Sequence, residues 1–158
     1  MKQSVAAASL LFVTALFCQA QVVDLPTDTL LRLQVSRNTH RVTLYRGDRV
    51  IKSYPVAVGR AGWETPLGTF QIYQMLEDPA WEHPLTGKVF PPGDPGNELG
   101  RYWIGFAKEG DNCVGFHGTS HPQTVGKSLS HGCIRMYEKD IEELFLQVNV
   151  GTIVTVVP

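Results

Sequence analysis

From about Leu30 to Val58 apolar and polar residues alternate. Leu31, Leu33 and Val35 fall on one face of an extended segment, and Val42 and Leu44 do so again after a turn at Asn38-Thr39. A period of two bounded by turn residues predicts strands. Arg46-Gly47-Asp48 reads as a second turn and Val50 to Val58 as a third strand, giving an antiparallel meander. Gly59 to Gly68 is expected to be a loop, and Thr69 to Leu76 a single returning strand. From Glu77 to Gly100 the chain carries Pro79, Pro84, Pro91, Pro92 and Pro95 with four glycines. That density of breakers predicts no regular element, and a long ordered loop in a small domain suits a lid or substrate wall. Arg101 to Ala107 and Asn112 to Phe116 read as two strands around a turn at 108–111, and Pro122 to Ser130 has room for a short helix. Ile141, Leu144, Phe145 and Val148 follow helical spacing, which predicts an amphipathic helix over Glu138 to Val148 with Gly151 beyond its end. Thr152 to Val157 closes the chain as a strand.

A chain of 158 residues with 43% hydrophobic positions can build one core of ordinary size. Fifteen Gly and ten Pro favour short strands and turns over a helix bundle. With 14 basic and 15 acidic residues the net charge is −1, so no basic field exists to hold nucleic acid by its phosphates. The N-terminus carries a different signal. Lys2 precedes an apolar stretch from Val5 to Phe17, and Cys18-Gln19-Ala20 sets small residues at the −3 and −1 positions of a cleavage after Ala20. This predicts a secretory signal peptide over residues 1–20 and an exported chain, in a periplasm or cell wall, with residues 30–158 as its domain. The apolar stretch is short for a membrane span, which needs about 20 residues. An uncleaved anchor is the alternative. Loss of the leader takes Lys2 away and shifts the net charge from −1 to −2. Cys113 and Cys133 then remain.

The residues richest in chemistry are His117-Gly118-Thr119 and Ser130-His131-Gly132-Cys133-Ile134-Arg135-Met136. A thiol is mostly protonated at neutral pH and becomes a strong nucleophile when an imidazole takes its proton. His131 lies two residues from Cys133, whereas His117 ends a separate strand. A base on a neighbouring element is the commoner geometry, so His117 is expected to be the base and His131 a supporting residue. Gly132 lets the backbone bend, and the N–H groups of Gly132 and Cys133 are candidate oxyanion donors. Gly118 permits a close backbone approach, and its carbonyl is a candidate for orienting the imidazole. Arg135 can pair with a substrate carboxylate through its fork of donors.

The segment from Ser130 to Met136, preceded by His117-Gly118-Thr119, resembles the signature of the L,D-transpeptidase (YkuD-like) catalytic domain. Thr65-Pro66-Leu67-Gly68-Thr69-Phe70 resembles that family's Thr-Pro-x-Gly-x-Phe segment. Leu99-Gly100 with Trp103-Ile104-Gly105 resembles its strand before the histidine, and Gly151-Thr152-x-Val154 its closing strand. The resemblance spans roughly Leu31 to Val157. It implies a mostly β fold, a mixed β-sheet sandwich with one amphipathic helix in the C-terminal half and a short helix near the active site. It implies Cys133 as nucleophile, His117 as general base and acid, and His131 and Gly132 along the oxyanion region. Arg135, Gly118 and Ser130 become candidate substrate contacts. The substrate implied is a peptidoglycan stem peptide, acylating the cysteine as a thioester before an amine on a second stem takes the acyl group in cell-wall crosslinking. Covalent inhibition by carbapenems is expected, with no cofactor and no metal. The chain departs from the pattern at Tyr137-Glu138, a position taken to lie outside the chemistry.

Other readings of the same residues stay open. The thioester can pass to water, giving an L,D-carboxypeptidase or endopeptidase. The domain can be a non-catalytic wall binder. Cys113, His117, His131 and Cys133 are zinc ligand types without a familiar zinc spacing. Cys113 reads as a core residue, though a Cys113–Cys133 disulfide is compatible with its strand parity. Trp63, Trp81, Tyr102 and Trp103 read as packing residues, and His40, His83 and His121 as surface residues.

Overall fold

A computed structural model describes residues 30–158, apart from Pro84 and Asp111. The expected signal peptide and its cleavage point lie outside the described residues. The meander forms as the alternation requires: β1 (Leu31–Ser36), β2 (Arg41–Arg46) and β3 (Arg49–Pro55), followed by the short β4 (Val58–Gly59). The expected strand from Thr69 to Leu76 is two strands, β5 (Gly68–Gln71) and β6 (Gln74–Glu77). They belong to different sheets, because the chain crosses between layers at Ile72, which is buried in the core. The proline-rich segment is not wholly irregular, for β7 (Trp81–Glu82) and β8 (Val89–Phe90) form a small antiparallel hairpin. Stacking of Trp81 on Phe90, at 5.4 Å between centroids, supplies the apolar contact that holds it.

The remaining elements are β9 (Tyr102–Glu109), β10 (Asn112–His117), β11 (Ser128–Ser130), β12 (Ile134–Arg135), α1 (Glu138–Phe145) and β13 (Ile153–Val157). A single 3-10 turn over Pro122–Thr124 stands where the short helix was expected. One sheet has the order β3-β2-β1-β13-β5, with β13 parallel to β1 and the other pairs antiparallel. A second has the order β12-β10-β9-β6, in which β12 runs parallel to β10. Leu33, Val35, Val42 and Leu44 of the first sheet share one core with Ile104, Phe116 and Ile134 of the second. Ile141 and Leu144 place the apolar stripe of α1 in that core, and Tyr102 packs on Phe145 at 4.8 Å. The fold is the mostly β architecture that the alternation and the family resemblance both imply.

Alternation also decides what faces the other way. Phe116 and Ile134, paired in register, are fully buried. Their neighbours His117, Cys133 and Arg135 therefore project to the opposite face, where the sheet borders a cavity.

Candidate active site

The cavity measures about 1110 Å³. Cys133, His117, His131, Arg135 and Ser130 line it, together with Cys113, Glu98 and the indoles of Trp63, Trp81 and Trp103. The parallel pairing of β10 with β12 matches His117 to Arg135 and so brings Cys133, one residue before β12, beside β10. The Cys133 thiol is part-buried and donates to the Cys113 carbonyl at 3.5 Å. Burial pushes this thiol up to about 11, against the smaller opposing pull of the Gly115 N–H and the Arg135 charge. At neutral pH it rests as the protonated thiol.

His117 is 4% exposed, and its Nδ1 donates to the Gly118 carbonyl at 2.7 Å. That bond fixes the tautomer with Nε2 unprotonated, ready to accept. Burial, and next the Arg135 charge, push the imidazole down to about 4, although the Gly118 and Glu98 carbonyls oppose the shift. The resting pair is thus neutral thiol and neutral imidazole, not an ion pair. The native state binds fewer protons than the unfolded chain while pH lies between about 4 and the ordinary histidine value, so stability rises with pH there. It is fully present above pH 6.5 and falls by about 3 kcal/mol as pH drops through 4. Melting followed against pH should show this acid limb in the wild type, and a limb shallower by one proton in His117→Ala.

The turn that carries Cys133 is built from inside. Gly132 has φ +106°, which strongly favours glycine. Ser130 is buried, and its hydroxyl donates to the Cys133 carbonyl at 2.5 Å and accepts the Gly132 N–H at 3.2 Å. This corrects two expectations. The Gly132 N–H is turned onto Ser130 and not toward an oxyanion, and the Ser130 hydroxyl is engaged on both sides by the turn, not by a substrate. Gly118, expected as a substrate contact, is likewise buried and away from the cavity wall, with its N–H on the Leu99 carbonyl at 3.1 Å and its carbonyl on His117. His131 is exposed at the rim, edge-on to Trp63 at 5.1 Å. Cys113 is exposed and not in the core, because Val114 takes the inward position before a bulge at Val114/Gly115. Trp63, Trp81 and Trp103 wall the cavity and do not merely pack.

Three positioning residues have no distinct mark in the sequence. Thr65 is fully buried, accepts the Gly59 N–H at 3.0 Å and donates to the Gly132 carbonyl at 2.8 Å, bracing the turn from behind. Its place in the Thr-Pro-x-Gly segment was the available signal. Asn97 donates to the Pro79 and Pro91 carbonyls at 2.9 and 3.3 Å and so clamps both legs of the proline-rich segment. Glu98, next to it, accepts from Arg135 Nη2 at 3.1 Å, while Arg135 Nε is buried with no partner among the described residues. Among the described residues no group of three or more His, Cys, Asp or Glu side chains is placed to hold a metal ion.

Comparison with known proteins gives one answer. The sequence model of the YkuD family, the L,D-transpeptidase catalytic domain, matches residues 31–156. A Bacillus licheniformis protein provisionally named L,D-transpeptidase YkuD is 37% identical over 127 residues, covering 80% of this chain and 66% of the relative. This chain therefore spans just under two thirds of that relative's own length. The catalytic domain of the E. faecium L,D-transpeptidase superimposes with a TM-score of 0.65 at 23% identity, over 82% of this chain and 98% of that one. L,D-transpeptidase 3 from Mycobacterium tuberculosis, solved in complex with a faropenem-derived adduct, gives 0.64 at 20% identity over 81% and 60%. At such identities these two structures establish the shared fold.

Proposed function

Because the chain belongs to the L,D-transpeptidase catalytic-domain family, we propose that it is an exported acyltransferase working on peptidoglycan stem peptides through a thioester on Cys133. The observation that carries this reading is the β10–β12 pairing, which sets Cys133 and His117 on one cavity with Nδ1 of His117 already held by Gly118. Nε2 is then the acceptor for the thiol proton. Sulfur attacks the carbonyl at the L-centre as Nε2 takes that proton, so the pair passes from neutral to charged only as the bond forms. The Gly118 carbonyl stabilises the imidazolium through Nδ1. The Cys133 N–H is the backbone donor left for the oxyanion once Ser130 has taken that of Gly132. The imidazolium returns its proton to the departing amine of the terminal D-residue. The same ring next deprotonates the acceptor amine, which takes the acyl group and frees the thiol.

Arg135 is the candidate partner for a substrate carboxylate. Its side chain is 13% exposed and one face is on Glu98, so an entering carboxylate competes with or joins that pair. The leader pattern of residues 1–20 supports placement in the periplasm or cell wall. The faropenem-derived adduct in the Mycobacterium relative supports covalent capture of Cys133 by a penem, and carbapenems are expected to react in the same way.

The full-length protein without its leader, incubated with defined stem tetrapeptides, is expected to give crosslinked dimers that vanish in Cys133→Ala. Shortened stems alone would establish a hydrolase in its place. Unchanged products from Cys133→Ala would end the thioester mechanism.

A further inference from the structure

The carbonyl that holds His117 Nδ1 belongs to Gly118, and the N–H on the far side of that same planar amide belongs to Thr119. Across the amide stands Glu138, the first residue of α1. A methyl group built on Gly118 would overlap the Glu138 carboxylate, and one built on Gly100 would lie 3.0 Å from its Cδ and Oε2. The carboxylate thus lies against the backbone at both glycines, where the neighbouring N–H groups of Thr119 and Arg101 draw its pKa down. It therefore joins the exit of the proline-rich segment, the end of β10 and the start of the helix at one point. The position that departs from the family pattern, and that the sequence places outside the chemistry, touches the peptide that orients the base.

We propose that Glu138 is a positioning residue for His117: its carboxylate accepts the Thr119 N–H, and the same amide presents the Gly118 carbonyl to the imidazole Nδ1. The inference rests on the reading of His117 as the base. A negative charge at the N–H end of an amide polarises its carbonyl and strengthens the bond that carbonyl accepts. When the ring gains the thiol proton, its positive charge meets an acceptor already oriented and polarised, with no rearrangement needed. One peptide thus relays what a carboxylate bonded directly to the imidazole supplies in a nucleophile–histidine–acid triad. Burial raises the Glu138 carboxyl above its ordinary range, and the Arg101 and Thr119 N–H groups oppose that shift. The charged side chain facing it is Glu142, one helical turn on, which adds to the rise. A merely structural role would be to place negative charge at the positive end of α1, a role that Asp140 shares.

Three variants separate these roles, read as the rate of Cys133 alkylation by iodoacetamide against pH. Labelling is resolved by residue with mass spectrometry, since exposed Cys113 also reacts. Glu138→Ala is expected to slow Cys133 alkylation near neutral pH by about tenfold. Glu138→Asp keeps the charge at the helix start but is one methylene too short to reach Thr119, and should slow it similarly. Glu138→Gln keeps an oxygen within reach but not the charge, and should recover part of the rate, with an acid limb displaced from that of the wild type. Should the alanine variant fail to fold, the Asp and Gln pair decides alone. Wild-type rates and profiles in all three, or recovery by Asp and not by Gln, would overturn the proposal. A His117→Ala protein reacting like the wild type would remove the base assignment itself, a different failure.

Discussion

Replacing His117 by Ala is expected to cut the rate at which Cys133 is acylated near neutral pH by about 10³-fold, within the range that general bases supply. The reason lies in the resting charges. Burial holds the Cys133 thiol up to about 11, so at pH 7 only about one sulfur in ten thousand is a thiolate without help. On the proposed mechanism the wild type does not depend on that fraction, because Nε2 would take the proton as the carbon–sulfur bond forms. Its rate should hold a plateau from weakly acidic to weakly alkaline pH and fall only as the imidazole protonates near 4. The variant has no such acceptor. Its rate should climb about tenfold per pH unit toward the thiol's own value. Mass-resolved adduct formation with a carbapenem or an alkylator, followed over pH, distinguishes the two shapes. His131→Ala, at the rim beside Trp63, should keep the plateau. A plateau in His117→Ala, or a steeper loss in His131→Ala, would exchange the roles of the two histidines.

The second large effect is expected at Gly59. A Cβ there would overlap the Trp63 carbonyl and lie 2.6 Å from the Thr65 nitrogen and 2.8 Å from the Glu64 carbonyl carbon. All three are backbone atoms, so no side chain can swing aside, and the loop itself must move. Two bonds go with it. The Gly59 N–H donates to Thr65 Oγ1, and Thr65 Oγ1 donates to the Gly132 carbonyl behind Cys133. Steric strain and the loss of buried hydrogen bonds together are expected to cost Gly59→Ala about 3 kcal/mol or more, a fall in melting temperature of about 10 °C. Cys133 reactivity should drop beyond what the stability change explains, because the turn that carries it loses its brace. Gly62→Ala is the internal control. It has φ +80° but open space around the added carbon, so it should cost about 1 kcal/mol from backbone strain alone and leave the thiol's reactivity in place. Equal effects at the two glycines would refute the brace.

The meander, the helix and the closing strand were legible because each is a local pattern. Leu33, Val35, Val42 and Leu44 alternate, and Ile141 and Leu144 keep helical spacing, whatever lies around them. The linked segments from His117 to Thr119 and from Ser130 to Met136 were legible as well, since nucleophile, imidazole and flanking glycines form a dense chemical pattern in one dimension. The break between β5 and β6 was not, because Thr69 to Leu76 alternates well enough for one strand and only the layers of the fold require two. The hairpin of β7 and β8 was hidden for a related reason: Trp81 and Phe90 must meet in space before two residues on each side can pair.

The chain's own spelling already contains the residue types of the site, and parity sends His117, Cys133 and Arg135 to one face once Phe116 and Ile134 pair into the core, although no pattern after Cys133 marked a strand there. What each polar group of the site is bonded to comes from packing in three dimensions. Ser130 takes the Gly132 N–H, Thr65 holds the Gly132 carbonyl, Glu98 meets Arg135, and Glu138 reaches the peptide behind His117. These contacts join segments far apart in the chain. A hydrogen bond depends on distance and direction in space, for which spacing along a sequence carries no record.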